Sequence, residues 1–426
     1  NRLPRIEPEA VLALTHREEK VPDAYPRPLL AHGNGRSYGD VCLSGKGTVL
    51  LTRGLDRFIE FDPLSGTLRC EAGVTLGEIL SLVVPQGWFL ASTPGTRFAT
   101  VGGAIANDVH GKNHHDVGSF GHHVRAFELW RSDGAVLECT QDENEDWFRA
   151  TIGGLGLTGL IRWAEIQLVP IRNPWMWVES RRFSNLNEFW ALNREAEASS
   201  PYTVAWIDCL ATGKAQGRGI LLAGQHAAGQ TELPIFKSSG KRIPLDPPIS
   251  LINTLSLKAF NSLYYRQPVK PQGSLIHYEP YFYPLDAIQD WNRIYGRKGF
   301  YQYQCVIPPE AAEAATSELL SVIAKRRQGS FLAVLKTFGS KPSLGMMSFH
   351  RPGSTLALDF PNQGKETLRL LADLDAIVRE AGGALYPGKD ARMPADLFQM
   401  GYPQWQTFSE YIDPNFSSAF WQRVTS

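Results

Sequence analysis

The chain has 426 residues, with 43 Lys+Arg against 43 Asp+Glu, 43% apolar and 20% charged. That length exceeds what one hydrophobic core usually serves, so two domains, or one with a second inserted, are expected, and the balanced charge offers no electrostatic case for nucleic acid. No run of eighteen uninterrupted apolar residues predicts a membrane span, the first residues show no signal-peptide core, and five scattered cysteines argue against a disulfide framework or a thiolate metal site.

In chain order, "GTVLLT" (47–52), "RFIEFD" (57–62) and "TLRCEAG" (67–73) read as short strands between turn signals. "TLGEILSLVVPQG" (75–87) reads as a helix. Thr75 and Glu78 form a capping box, Leu76, Ile79, Leu80 and Val83 share a face, and Pro85 and Gly87 end it. Residues 123–134 and 135–140 predict a hairpin through Asp133-Gly134, and 159–170 another strand. This part is α+β with mixed strands rather than a βαβ array. From about 171 onward, strands are expected at 202–211, 217–225, 300–308, 331–339 and 354–360, with helices at 310–327 and 365–381. They suggest an antiparallel sheet covered by helices. Residues 226–275 are rich in Pro, Gly and Lys and read as mobile loops around "ISLINTLSLKAFNSLYY" (249–265). That apolar stretch reads as a core helix, with a lipid-touching surface as the alternative.

Three separated segments carry unusual glycine density. "HGNGRSYGD" (32–40) is neither a Walker A loop nor a Rossmann fingerprint. Its consecutive backbone N–H groups suit an anion such as a pyrophosphate. "STPGTRFATVGGAIANDVHGKNHHDVGSFG" (92–121) and "TIGGLGLTGLI" (151–161) are the others. Together they imply one long ligand approached by backbone at several points. An adenine dinucleotide fits.

These segments, in this order, resemble the vanillyl-alcohol-oxidase/p-cresol-methylhydroxylase-type flavoproteins. The resemblance implies two α+β subdomains binding FAD, here residues 1–170 with 384–426 returning to them, and an antiparallel-sheet substrate cap over 171–383. It implies that Gly33, Asn34, Gly35, Arg36, Ser37, Tyr38 and Gly39 wrap the diphosphate. Pro94, Gly95, Thr96, Thr100, Val101, Gly102, Gly103 and Asn107 line the flavin side. Gly154 and Gly156 belong to the third segment, with Ile161 near the adenine, and Tyr386 lies against the cofactor. Many relatives tether FAD through a histidine just before the loop serine. Arg36 stands there, so FAD held without a covalent bond is expected. "HGKNHHDVGSFG", "YQYQ", "FLAVLKTFG" and "LYPGKDAR" extend the likeness to the sugar oxidases of bacterial cell-wall epimerisation. This chain departs from them in having Ala357 where they carry a cysteine.

For chemistry, Gln302 and Gln304 alternate onto one face of a strand, as two amides for sugar hydroxyls require. Lys336 sits among apolar neighbours, where burial lowers its pKa. Within the resemblance, Lys389 reaches flavin and substrate, His110 sits at the flavin and manages the hydroxyl proton, and Tyr283 helps hold the substrate. The other histidines of the run, His114, His115, His122 and His123, read as hydrogen-bonded within a buried loop rather than as a metal site. The expected protein is an FAD-dependent oxidoreductase of a sugar or lipid-linked sugar hydroxyl. It would be cytoplasmic or membrane-associated, with a separate NAD(P)H-dependent reductase partner and a possible peripheral membrane contact. An aldonolactone- or alditol-type oxidase, a reductase running from NAD(P)H and a non-catalytic flavin-retaining scaffold remain open.

Overall fold

Short apolar runs bounded by turn residues become the strands of a small parallel sheet near the N-terminus. Thr48–Leu51 lies between Ala10–Ala13 and Leu29–His32. The computed structural model describes residues 2–229, 236 and 240–426. Next comes the helix Leu76–Val83. The Thr75 hydroxyl accepts from the Glu78 N–H, and the Glu78 carboxylate accepts from the Thr75 N–H. Leu76, Ile79, Leu80 and Val83 are buried, and Gly87, at φ 82°, ends the following turn.

That helix packs in the core of an antiparallel sheet ordered Phe58–Asp62, Thr67–Glu71, Leu160–Pro170, Val124–Trp130, Val136–Thr140. Trp88–Leu90 joins the far end of Leu160–Pro170. The hairpin turns where expected. Gly134 takes φ 92°, and the Asp133 carboxylate accepts from the Ala135 N–H.

The second half builds an eight-stranded antiparallel sheet. Its order is Ser274–His277, Trp175–Phe183, Gly219–His226, Tyr202–Ile207, Val334–Phe338, Gly353–Pro361, Phe300–Ile307, Ala384–Leu385. Strand side chains alternate between faces. On one face Ala333, Leu335, Leu356, Leu358, Tyr303 and Cys305 are buried in a core shared with the helices Ala312–Arg326 and Lys365–Glu380. Each buried leucine there contributes about 1.5–3 kcal/mol. The other face therefore carries Gln302, Gln304, Val334, Lys336, Thr355, Ala357 and Asp359. The register aligns them across neighbouring strands: Gln302 opposite Asp359, Gln304 opposite Ala357, Lys336 opposite Thr355.

The stretch 249–265 is not a core helix. The helix Thr254–Arg266 buries only Leu257 and Asn261, while Leu255 and Leu263 are 79% and 73% exposed. The Asn261 amide donates to the buried Asp208 carboxylate at 2.7 Å, which anchors one narrow stripe, while Leu255, Ala259 and Leu263 face outward. Part of the loop expected around it, at 230–235 and 237–239, lies outside the described residues. Lys241–Arg242 pairs with Ile288–Gln289. Among the described residues no helix is long and apolar enough to cross a membrane.

Candidate active site

The glycine-rich segments meet. The Asn34 amide donates to the Phe98 carbonyl at 2.9 Å, and a Cβ on Gly33 would lie 2.4 Å from the Thr100 hydroxyl. The third segment docks on the helix Val101–Ala106: Gly153 N–H donates to the Ile105 carbonyl and Leu155 N–H to that of Ala106. A fourth element joins them. The Tyr38 N–H donates to the Gly388 carbonyl at 2.9 Å, and the Tyr386 hydroxyl to the Asn107 carbonyl at 2.9 Å.

This cluster fits a dinucleotide. Gly35 adopts φ 58°, which favours glycine. The backbone N–H groups of Gly35, Arg36 and Ser37 have no partner among the described residues, so three successive donors stand ready for an anion. Among the described residues the buried Asn107 Oδ1 is unpartnered, and a Cβ on Gly95 or Gly156 would meet nothing within 4 Å. The fit is not uniform. The side chains of Val101 and Ile161 are core residues, the Val101 and Gly102 N–H groups already donate to Val74 and Ala72, and the Thr96 hydroxyl donates to Asp286. Gly103 N–H is capped by Thr100, and Gly154 lies against the Ala150 carbonyl. Arg36 lies over the Phe98 ring.

Beside this cradle the polar sheet face meets His110. Lys336 Nζ lies 2.6 Å from His110 Nδ1 and 2.6 Å from the Gly111 carbonyl. On the ring's other side His110 Nε2 lies 3.0 Å from the Gln304 amide, which also reaches Thr355 at 2.9 Å. Burial pushes Lys336 well below the usual lysine range, and Lys389 and Lys112 push it further. Burial does the same to His110, followed by the Lys336 charge. Such a pair titrates as one unit. Charged, Lys336 donates to Nδ1, which sets Nε2–H against the Gln304 amide N–H, two donors facing each other. With one proton gone, the amine accepts from Nδ1–H and Nε2 becomes an acceptor. His110 and Lys389 keep partial exposure.

Sequence reasoning missed Asp359, two residues from Ala357. Its Oδ1 accepts from the Gln302 amide at 2.7 Å, its Oδ2 has no partner among the described residues, and burial raises it to about 6 despite the opposing charge of Lys389. The signal was there, since an acid inside "TLALDFP" shares the strand face with Ala357, but its partners lie on another strand. A carboxyl ordinarily near 3.8 that titrates near 6 when folded keeps its proton more firmly than in the unfolded chain. Its burial penalty therefore grows as pH rises from about 4 to about 6 and is constant above. Asp359→Asn is expected to stabilise the cofactor-free protein by about 3 kcal/mol at pH 8 and by almost nothing at pH 4. Denaturant titrations at both values measure this, and equal gaps would refute it.

Asp108 was also missed. It is buried at φ 40° and anchors the histidine run from behind. It accepts from Ser119, Ser348 and the Gly121 N–H, and His350 lies 3.6 Å away. Burial alone would raise this carboxyl, but His350, Ser348 and Gly121 outweigh it and hold it at about 2. Of the histidines expected to be hydrogen-bonded, His115 reaches the Ser200 carbonyl and His122 that of Pro342. His114 corrects the expectation: it is buried with neither nitrogen partnered among the described residues, and its ring stacks on His350 at 4.9 Å. Apolar packing, with Phe338 at 4.5 Å, takes the place of polar contacts there. Tyr283 is buried, with its hydroxyl 2.6 Å from that of Thr93 in the second glycine-rich segment. Tyr386 stacks on Phe349 at 4.7 Å. Among the described residues no group of His, Cys, Asp or Glu is placed to hold a metal ion.

The family described as an FAD binding domain matches residues 18–140, which contain the first two glycine-rich segments. The decaprenylphosphoryl-beta-D-ribose oxidase of Mycolicibacterium smegmatis is 35% identical over 404 residues, 91% of this chain and 87% of that protein. The L-gulonolactone oxidase of Mus musculus is 29% identical over 162 residues, 38% of this chain and 34% of that protein. The Delta(24)-sterol reductase of Homo sapiens is 34% identical over 114 residues, 27% of this chain and 22% of that protein. The shorter matches are thus confined to part of the chain, whereas the first spans both the cradle and the polar sheet face. The chain belongs to the p-cresol-methylhydroxylase-type FAD-binding family and is an FAD-dependent oxidoreductase.

Proposed function

We propose that the protein oxidises a secondary hydroxyl of a phosphorylated or polyprenyl-phosphate-linked pentose, the 2′-hydroxyl, to a ketone. A separate NAD(P)H-dependent reductase then completes an epimerisation. One observation carries this reading: the Lys336–His110–Gln304 chain stands beside the glycine cradle on a sheet face that also holds Asp359. When bound, FAD supplies the hydride acceptor. The protein must remove the hydroxyl proton and hold the carbon in place. His110, coupled to Lys336, receives that proton, and Lys389 assists it. Gln302, Gln304 and Asp359 offer amide and carboxyl groups to sugar hydroxyls. Lys389 and Lys112 place positive charge near Lys336, which favours an anionic substrate such as a phosphoryl sugar. The named substrate of the mycobacterial relative is of this kind.

In this reading residues 1–170 and 384–426 bind FAD and 171–383 form the cap. Arg36 in the histidine's place leaves FAD non-covalent. Anaerobic mixing tests the proposal. Acid precipitation should release all the flavin, and a polyprenyl-phosphate pentose should bleach the bound flavin at least about tenfold faster than free alditols or aldonolactones. Faster bleaching by a free alditol would replace the substrate assignment. Bleaching by NADPH alone would make the protein a reductase, and none by any sugar would leave a scaffold.

A further inference from the structure

The helix Thr254–Arg266 and the loop before it expose Leu245, Ile249, Leu251, Leu255, Phe260 and Leu263. Leu255, Ala259 and Leu263, spaced by four, form one outward stripe. Lys258, Ser262 and Arg266, also spaced by four, form the stripe beside it. Across residues 240–273 there are five cations (Lys241, Arg242, Lys258, Arg266, Lys270) and one carboxylate, Asp246, which pairs with Arg2 at 2.7 Å. Arg242 pairs with Asp290, and the remaining four cations are exposed. An apolar stripe flanked by cations that have no ion pair among the described residues matches a helix that lies in the interface of an anionic bilayer.

A chain of packed rings links the patch to the first glycine-rich loop. Phe260 packs on Phe331 (ring centroids 5.8 Å), Phe331 on Tyr295 (6.0 Å), Tyr295 on Phe300 (4.2 Å), and Phe300 meets Tyr38 of the first glycine-rich loop (5.8 Å). We propose that this face docks on the surface of an anionic membrane, so that a lipid carrier stays in the bilayer while its sugar reaches the sheet face. The proposal extends the reading of a lipid-linked substrate, but its test involves no turnover, so either can fail alone.

Holoprotein is sedimented with vesicles of phosphatidylcholine alone or of equimolar phosphatidylglycerol and phosphatidylcholine. Binding is expected to the anionic vesicles, to weaken as salt rises, and to fall about tenfold or more in Leu255→Gln/Leu263→Gln. Lys258→Glu/Arg266→Glu should lose the preference for anionic vesicles. Both variants alter exposed side chains and should keep the parent's flavin content. Failure of the parent to bind, or equal binding by the leucine variant, overturns the proposal. A parent dimer in solution that the leucine variant converts to a monomer assigns the face to a second copy instead and overturns it as well.

Discussion

Replacing Lys336 by methionine is expected to slow flavin reduction by the sugar substrate about 10²- to 10³-fold while leaving flavin bound. Methionine fills the same space but supplies no donor. Two groups then lose their partner at once: His110 Nδ1 and the Gly111 carbonyl, each now 2.6 Å from Nζ. An orphaned buried polar group costs about 1–3 kcal/mol, and the ring relieves that cost by turning. Turning also breaks the contact between Nε2 and Gln304, so the amide and the imidazole lose their common orientation. A second signature separates this from a loss of packing. The Lys336 charge is one of the causes that hold His110 low. Its removal lets the imidazole protonate at higher pH, so the acid limb of the residual rate should move upward. Stopped-flow reduction across pH under anaerobic conditions reads both effects. A rate within about threefold of the parent's, or an acid limb that does not move, would remove Lys336 from the proton path.

What the sequence disclosed and what it hid divide along a physical line. A backbone that must come close to another segment or adopt positive φ restricts residue type locally, so the glycine density around Gly35 marked segments that the fold brings together. The Thr75–Glu78 box is complete within four residues, and strand alternation alone placed Gln302 and Gln304 on one face. Asp359 was hidden because its meaning lies in the register between Gly353–Pro361 and Phe300–Ile307, a pairing across 57 residues for its bond to Gln302. Asp108 was hidden for the same reason, since Ser348, one of its partners, is 240 residues away. The Thr254–Arg266 helix shows a further limit. Periodicity tells which side chains share a face, but whether anything covers that face is settled by the rest of the chain.

The same distinction makes Gly39 and Gly95 a paired test of the cradle. Gly39 lies where the first glycine-rich loop meets the turn that carries Tyr386 and Lys389, and a Cβ there would fall 1.4 Å from the Asp390 carbonyl oxygen. No rotamer relieves a clash between backbones, so one segment has to move. Neither moves cheaply. Asp390 accepts from the Met393 and Arg392 N–H groups, and Arg423 binds both Asp390 and Asp40, which ties the C-terminal helix to the loop. Gly39→Ala is therefore expected to lower the stability of the cofactor-free protein by about 3 kcal/mol or more and to reduce flavin affinity about tenfold or more. Gly95 is the contrast, with nothing within 4 Å of its would-be Cβ. Gly95→Ala should leave the cofactor-free protein within about 0.5 kcal/mol of the parent, yet weaken flavin binding if FAD fills that space. Denaturant titration without flavin and fluorescence titration with FAD give the two readouts. If Gly95→Ala binds FAD as the parent does, the second glycine-rich segment is scaffold rather than cradle at that point. If Gly39→Ala is as stable as the parent, the junction between the two loops is not rigid, and Lys389 loses its fixed place beside His110 and Asp359.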